Sequence, residues 1–309
     1  MAAPKTKTPM TPPPIATKSL APRVSTTAPT SQPSFNFSVE DCTGDGQGQK
    51  ILLYGKSGWG KTTIAMQAPD PVFICVDDGV RMLRHPVTDT AAKHITGVST
   101  FEQIKALLQP KNDHLFKPYK TIVIDTITEV QDLAKAWVIA NVKTDKGASV
   151  DNIEGYGYGK GMGHLYDAMR ELLSLLEIKS DAGYNIILIA QQSQVVVSNA
   201  AGSDYVQIVP ALFSTDKYRI RDLYIEQFDH VLLIGPAEFN KISEVTEKWG
   251  KSHGKALSPT TRAIHCKSAS DAYYCKARGM DYEMVSFDAP EDNSIWVAIF
   301  NQEPNQGEN

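Results

Sequence analysis

Apolar and polar positions along most of this chain follow two alternating periods. Short runs that are apolar nearly throughout occur at 50–54, 72–76, 120–125, 185–190 and 229–234. Each is bounded by polar or turn residues and predicts a buried β-strand. Helical spacing fills the intervals between them. Phe101, Ile104, Leu107 and Leu108 form one face, with Ser99-Thr100-Phe101-Glu102 fitting a capping box and Pro110 stopping the run. Val130, Leu133, Ala134, Trp137 and Val138 make a second stripe. Met162, Leu165, Tyr166, Met169, Leu172, Leu173 and Leu176 make a third, at the 3-4 spacing of a core-facing helix. Fully apolar strands separated by helices imply an α/β fold with a mainly parallel sheet covered on both faces. After about residue 255 the pattern shifts to shorter mixed runs at 271–276, 283–287 and 295–300, which predict an antiparallel C-terminal extension. No internal repeat is present.

The ends of the chain are different material. Residues 1–47 are dominated by Pro, Thr, Ser and Ala, with apolar positions too sparse to offset the cost of ordering, and read as a disordered tail. Met1 to Val39 carries Lys5, Lys7, Lys18 and Arg23 and no acidic residue; its proline load argues against an amphipathic targeting helix. Residues 48–302 read as one domain and 303–309 as a short disordered C-terminal tail. With 309 residues, 42% of them hydrophobic, the chain suffices for one sizeable core. A formal charge of −4 excludes a generic polyanion binder. No 18-residue apolar run appears and no secretory signal opens the chain, so no membrane role is expected. Cys42, Cys75, Cys266 and Cys275 are scattered without a C-x-x-C, which favours reduced thiols in a cytoplasmic protein. His265 and Cys266 with Cys275 come nearest to a ligand cluster, but alternation along a strand explains them.

Chemistry concentrates after the first predicted strand. Gly55-Lys56-Ser57-Gly58-Trp59-Gly60-Lys61-Thr62 is a complete G-x-x-x-x-G-K-[ST] loop, followed by Thr63. Its glycines let backbone N–H groups curl around a triphosphate, Lys61 reaches the β/γ-phosphates, and the Thr62 hydroxyl serves Mg²⁺. Thr121-Ile122-Val123-Ile124-Asp125 has the layout of a Walker B strand, with Asp125 as the second metal anchor. Thr126 follows, where many motor ATPases place a glutamate that orients the attacking water. A base must then come from another strand, or hydrolysis is slow. The 72–76 run ends in Asp77-Asp78, at the strand end where ligands of open α/β sheets bind; Asp77 is the candidate base and Asp78 the next choice. The 185–190 run ends in Gln191, a candidate sensor of the γ-phosphate. ATP is favoured over GTP because the guanine signature N-K-x-D is missing.

These landmarks, in this order, resemble the cores of RecA-like recombinases. The resemblance is greatest to short phage-encoded RecA-like ATPases proposed as single-strand-annealing recombination proteins, a group of phage AAA-type nucleotide-binding proteins. They share the very short helix after the phosphate loop, a proline-containing turn (here Ala68-Pro69-Asp70-Pro71) and the element Ile124 to Glu129. The resemblance covers about residues 49–287. It implies an ATPase using ATP and Mg²⁺, acting on single-stranded DNA in recombination, annealing or repair, and self-associating into a ring or filament. It places such a protein in the cytoplasm, the host's if phage-encoded. It also implies that the segments before the 162–178 helix and after Gln191 face DNA.

The first of those segments, Gly155 to Gly161, alternates glycine with Tyr156 and Tyr158 and ends near Lys160, an arrangement on which bases can stack. The second, Ser193 to Thr215, has no lysine or arginine, but Lys217, Arg219 and Arg221 follow at once. Residues 241–278 hold eight Lys/Arg against three Asp/Glu, a local charge of +5. That patch suits phosphates; by the family comparison, Lys276 and Arg278 instead reach a neighbouring subunit's γ-phosphate. Two other readings have some support. Lys56 to Thr63 resembles the loop of partition-type ATPases, although Ser57 replaces a glycine there and the following helix is too short. A nucleotide-gated platform or scaffold with little turnover fits Thr126 and the aspartate at 77.

Overall fold

The computed structural model describes residues 46–76, 83–199, 202–238, 261–269 and 271–301, and the backbone of 242–248 and 251–256. The apolar runs form the expected strands: β1 (Lys50–Tyr54), β2 (Pro71–Cys75), β3 (Thr121–Asp125) and β4 (Asn185–Ala190). A hairpin follows, β5 (Gln192–Val197) with β6 (Tyr205–Pro210), then β7 (His230–Pro236). A second hairpin pairs β8 (Ile242–Lys248) with β9 (Lys251–Ala256). Three short strands close the list: β10 (Arg262–His265), β11 (Lys276–Ala277) and β12 (Met284–Ser286).

The main sheet runs β12-β10-β7-β1-β4-β3-β2, with β11 also on β7. From β2 to β7 all neighbours are parallel, whereas β10, β11 and β12 join antiparallel. β4 therefore stands between the phosphate-loop strand β1 and the Asp125 strand β3. This is a RecA-like P-loop core with a small antiparallel extension.

Strand alternation divides the interior into two layers. Leu52, Tyr54, Ile122, Ile124 and Leu188 face one side, against α2 (Phe101–Leu107), α3 (Ile127–Asn141), α4 (Lys160–Asp181) and α5 (Ile220–Gln227). Ile51, Leu53, Val123, Ile187 and Ile234 face the other, against α1 (Lys61–Ala65) and α6 (Ser294–Phe300). Every one of these strand residues is at most 1% exposed. Burial on both faces is why the strands read as continuous apolar runs rather than alternating ones.

Three expectations need correction. Residues 295–300 form α6, not a strand: its N-cap is Asn293, Asp292 just before it accepts from the Ser294 N–H at 2.9 Å, and Ile295 and Trp296 turn inward. A short run that is apolar on all sides has no period to separate helix from strand. At 271–276 only Lys276 joins a strand, and Tyr273 makes an isolated bridge to Ile208. The box opening α2 is Thr100 with Gln103, one residue later than the Ser99–Glu102 pairing.

His230, at the start of β7, is 3% exposed and its Nδ1 has no hydrogen-bond partner among the described residues. Burial lowers its pKa to about 4, partly opposed by Asp229. The folded value lies below the unfolded one, so stability is complete above about pH 6.5 and falls as the pH drops towards 4. We expect a loss of about 2 kcal/mol between pH 6.5 and 5, read as a falling denaturation midpoint. His230→Gln is expected to flatten that slope; an unchanged slope would move its cause to other groups.

Candidate nucleotide site

The phosphate loop leaves β1 at the carboxyl edge of the sheet and enters α1 at Gly60. Gly55 lies so close to β7 that a Cβ there would sit 2.4 Å from the Ile234 carbonyl oxygen. Gly60 is the N-cap of α1 with φ 94°, a left-handed conformation that a side chain would strain. The first turn of α1 leaves N–H groups without intrahelical partners, which suits anionic oxygens.

Four side chains converge beside this loop. Lys61 is 6% exposed, and its Nζ donates to the carbonyls of Gly55 and Lys56 at 2.8 Å each and to Gln191 Oε1 at 3.4 Å. Burial lowers the pKa of its ammonium from the ordinary lysine value, and the Asp125 carboxylate opposes that shift. The Thr62 hydroxyl donates to Asp125 Oδ2 at 2.7 Å. Hydroxyl and carboxylate oxygens thus meet at one point, the hard-oxygen donor set a Mg²⁺ ion takes, so the residues fit that metal. Gln191 is held by its own N–H, which donates to Thr128 Oγ1 at 3.1 Å. Ser57, Gly58, Thr63, Leu83 and Thr126 complete the walls of a cleft of about 300 Å³. Lys56 is exposed and Trp59 half-buried against the α1 layer.

Thr126 caps α3, accepting the Glu129 N–H at 3.2 Å, and supplies no base. Asp77 and Asp78 lie outside the described residues. The chain leaves β2 beside the metal-side strand, because the Val76 N–H bonds the Asp125 carbonyl at 3.4 Å. Sequence reasoning missed Thr128 and Leu83. The polar Ile124–Glu129 element contained a signal for the first; nothing marked the second.

The DNA-facing candidates divide. Tyr156 needs correction: it is 8% exposed, and its hydroxyl donates to the carbonyls of Val138 and Val142 at 2.8 and 2.7 Å, so its ring is core. Tyr158 is 99% exposed. Lys160 pairs with Asp145, and Arg219 and Arg221 flank Asp222 at 2.7 and 3.7 Å. The structure brings these two segments together, since Tyr218 packs on α4 at Gly163 and lies 6.4 Å from the Tyr166 ring. Lys217 lies over the Tyr218 ring at 5.0 Å. Lys276 and Arg278 sit at the opposite, amino edge of the sheet. Lys276 donates to the last carbonyls of α5, Ile225 and Glu226, and Arg278 pairs with Asp229 at 3.0 Å. Of the eight basic residues in the 241–278 patch, Lys241, Lys248, Lys251 and Lys255 lie where only backbone, or nothing, is described. Among the described cysteines, Cys266 and Cys275 are buried free thiols. No helix among the described residues is long and apolar enough to cross a membrane.

A parallel sheet with this loop at its carboxyl edge, and a Thr–Asp pair beside it, defines a P-loop nucleotide-binding ATPase core. The chain belongs to the AAA domain family, whose model matches residues 47–253. Among solved structures it is similar to a KaiC-like protein from the hyperthermophilic archaeon Pyrococcus horikoshii OT3. The two are 16% identical with a TM-score of 0.39, over 78% of this chain and 84% of that one. No curated protein matches it.

Proposed function

We propose that this chain binds ATP with Mg²⁺, hydrolyses it, and couples that cycle to single-stranded DNA in homologous recombination, annealing or repair. The observation that carries the nucleotide half is the convergence of Lys61, Thr62, Asp125 and Gln191 on one cleft. Lys61 and the loop residues 55–63 hold the phosphates, and Thr62 with Asp125 holds the metal, which neutralises phosphate charge when bound. Asp77 is the candidate for positioning water, with Asp78 as its alternative.

The DNA half rests on an exposed aromatic, Tyr158 beside Lys160, and on Tyr218, which packs against Gly159 and Gly163 of the same stretch and has Lys217 and Arg219 as its chain neighbours. A strand can stack on Tyr158 while its phosphates meet the basic side chains. Gln191 is tied to this surface through its own chain. Its carbonyl accepts the Ala211 N–H at 2.8 Å, and Phe213 and Arg221 follow by the next backbone bond at 3.1 Å. These backbone bonds support a reading in which nucleotide state sensed at Gln191 is passed towards Arg221. Assembly into a ring or filament belongs to the same proposal. Lys276 and Arg278 lie on the side of the sheet away from their own cleft, so the nucleotide they can serve is a neighbour's.

Fluorescence anisotropy of a labelled single strand tests the DNA half. Tyr158→Ala is expected to weaken binding roughly tenfold, as loss of one stacking platform should. Parental affinity in that variant would remove Tyr158 from the interface. A second reading, a nucleotide-gated platform with little turnover, is favoured by Thr126, whose hydroxyl is committed to capping α3.

A further inference from the structure

The helix that carries Lys61 and Thr62 is only five residues long. Helices of that length do not persist on their own, so something outside α1 must hold it. The sheet supports one side of it, and residues of the C-terminal segment, beyond the 47–253 span matched by the family model, hold the rest. Trp296, fully buried on α6, donates its indole Nε1–H to the Ile64 carbonyl at 2.7 Å. Phe287, also fully buried, lies so close under Gly60 that a Cβ there would be 2.8 Å from its Cε1. Just past α1, the Gln67 amide donates to the carbonyls of Pro290 and Asp292 at 2.7 and 3.3 Å. The loop's N-cap, its helix and its exit are thus each pinned by residues from 287 to 296.

We propose that this C-terminal segment is a brace for the phosphate loop, and that Phe287 and Trp296 are positioning residues for nucleotide binding. They act through Gly60 and Ile64 rather than on the ligand. The inference rests on the nucleotide site proposed above. A loop held in its binding conformation before the ligand arrives loses less freedom on binding. By reciprocity, bound nucleotide must tighten the brace.

The test compares Mg²⁺–ADP affinity and apo melting temperature in the full chain and in Trp296→Phe, Phe287→Leu and Phe116→Leu. Trp296→Phe removes the indole donor and keeps an aromatic ring. Phe116 is fully buried in the layer on the other face of the sheet and serves as a control for general destabilisation. We expect the two brace variants to bind ADP about tenfold more weakly than a Phe116→Leu chain of comparable melting temperature. Hydrogen exchange of the α6 amides in the parent chain is expected to slow when ADP binds. ADP affinity that simply tracks melting temperature across all three variants would overturn the brace while leaving the site intact. A parent chain that does not bind ADP would overturn both.

Discussion

Lys61→Ala is expected to lose at least about 100-fold in affinity for ATP, with little change in the stability of the nucleotide-free chain. An ammonium about 4 Å from a phosphate charge near a protein surface is worth roughly 4 kcal/mol. Folding gains little from the same group. It is buried, its pKa is lowered by that burial, and its hydrogen bonds to the Gly55 and Lys56 carbonyls go to offset that desolvation. Calorimetric titration with ATP and a melting curve of the apo variant measure the two halves separately. Unchanged ATP affinity would remove Lys61 from the site and the phosphate-loop assignment with it.

Asp125→Asn is expected to lower ATP turnover about 100-fold or more, in the range for removing charge stabilisation at a phosphoryl-transfer centre. The amide keeps the size of the carboxylate and an oxygen to accept from Thr62, so packing in β3 should survive. The negative charge proposed to anchor the metal goes, and so does the carboxylate that opposes the burial shift of Lys61. Turnover measured against Mg²⁺ concentration checks this, with a higher Mg²⁺ requirement expected in the variant. Parental turnover at low Mg²⁺ would place the metal anchor elsewhere.

The core was legible because parallel strands covered on both faces must be apolar throughout, and β1 to β4 and β7 stand close to where those runs lie. The phosphate loop was legible because its chemistry is local, confined to eight consecutive residues. What the chain hid depends on partners distant in sequence. Tyr156 and Tyr158 read alike in a glycine-rich stretch, yet one hydroxyl finds two carbonyls of the α3 terminus and the other ring faces solvent. Nothing in the 295–300 run states that Trp296 will reach Ile64, more than two hundred residues earlier, and without that contact the run has no period of its own. The 192–210 hairpin was not among the predicted strands. Its strands are half-exposed and carry polar positions, so the apolar signal that betrays buried strands is weak there.

The central claim is that nucleotide turnover is coupled to single-stranded DNA. ATP hydrolysis should be measured at low and moderate salt, with and without single strands, in the parent chain and in Lys61→Ala. The account predicts stimulation by single strands that weakens as salt rises and disappears in the variant. Turnover indifferent to DNA, together with no strand binding at low salt, would contradict it and leave a nucleotide-gated scaffold in its place.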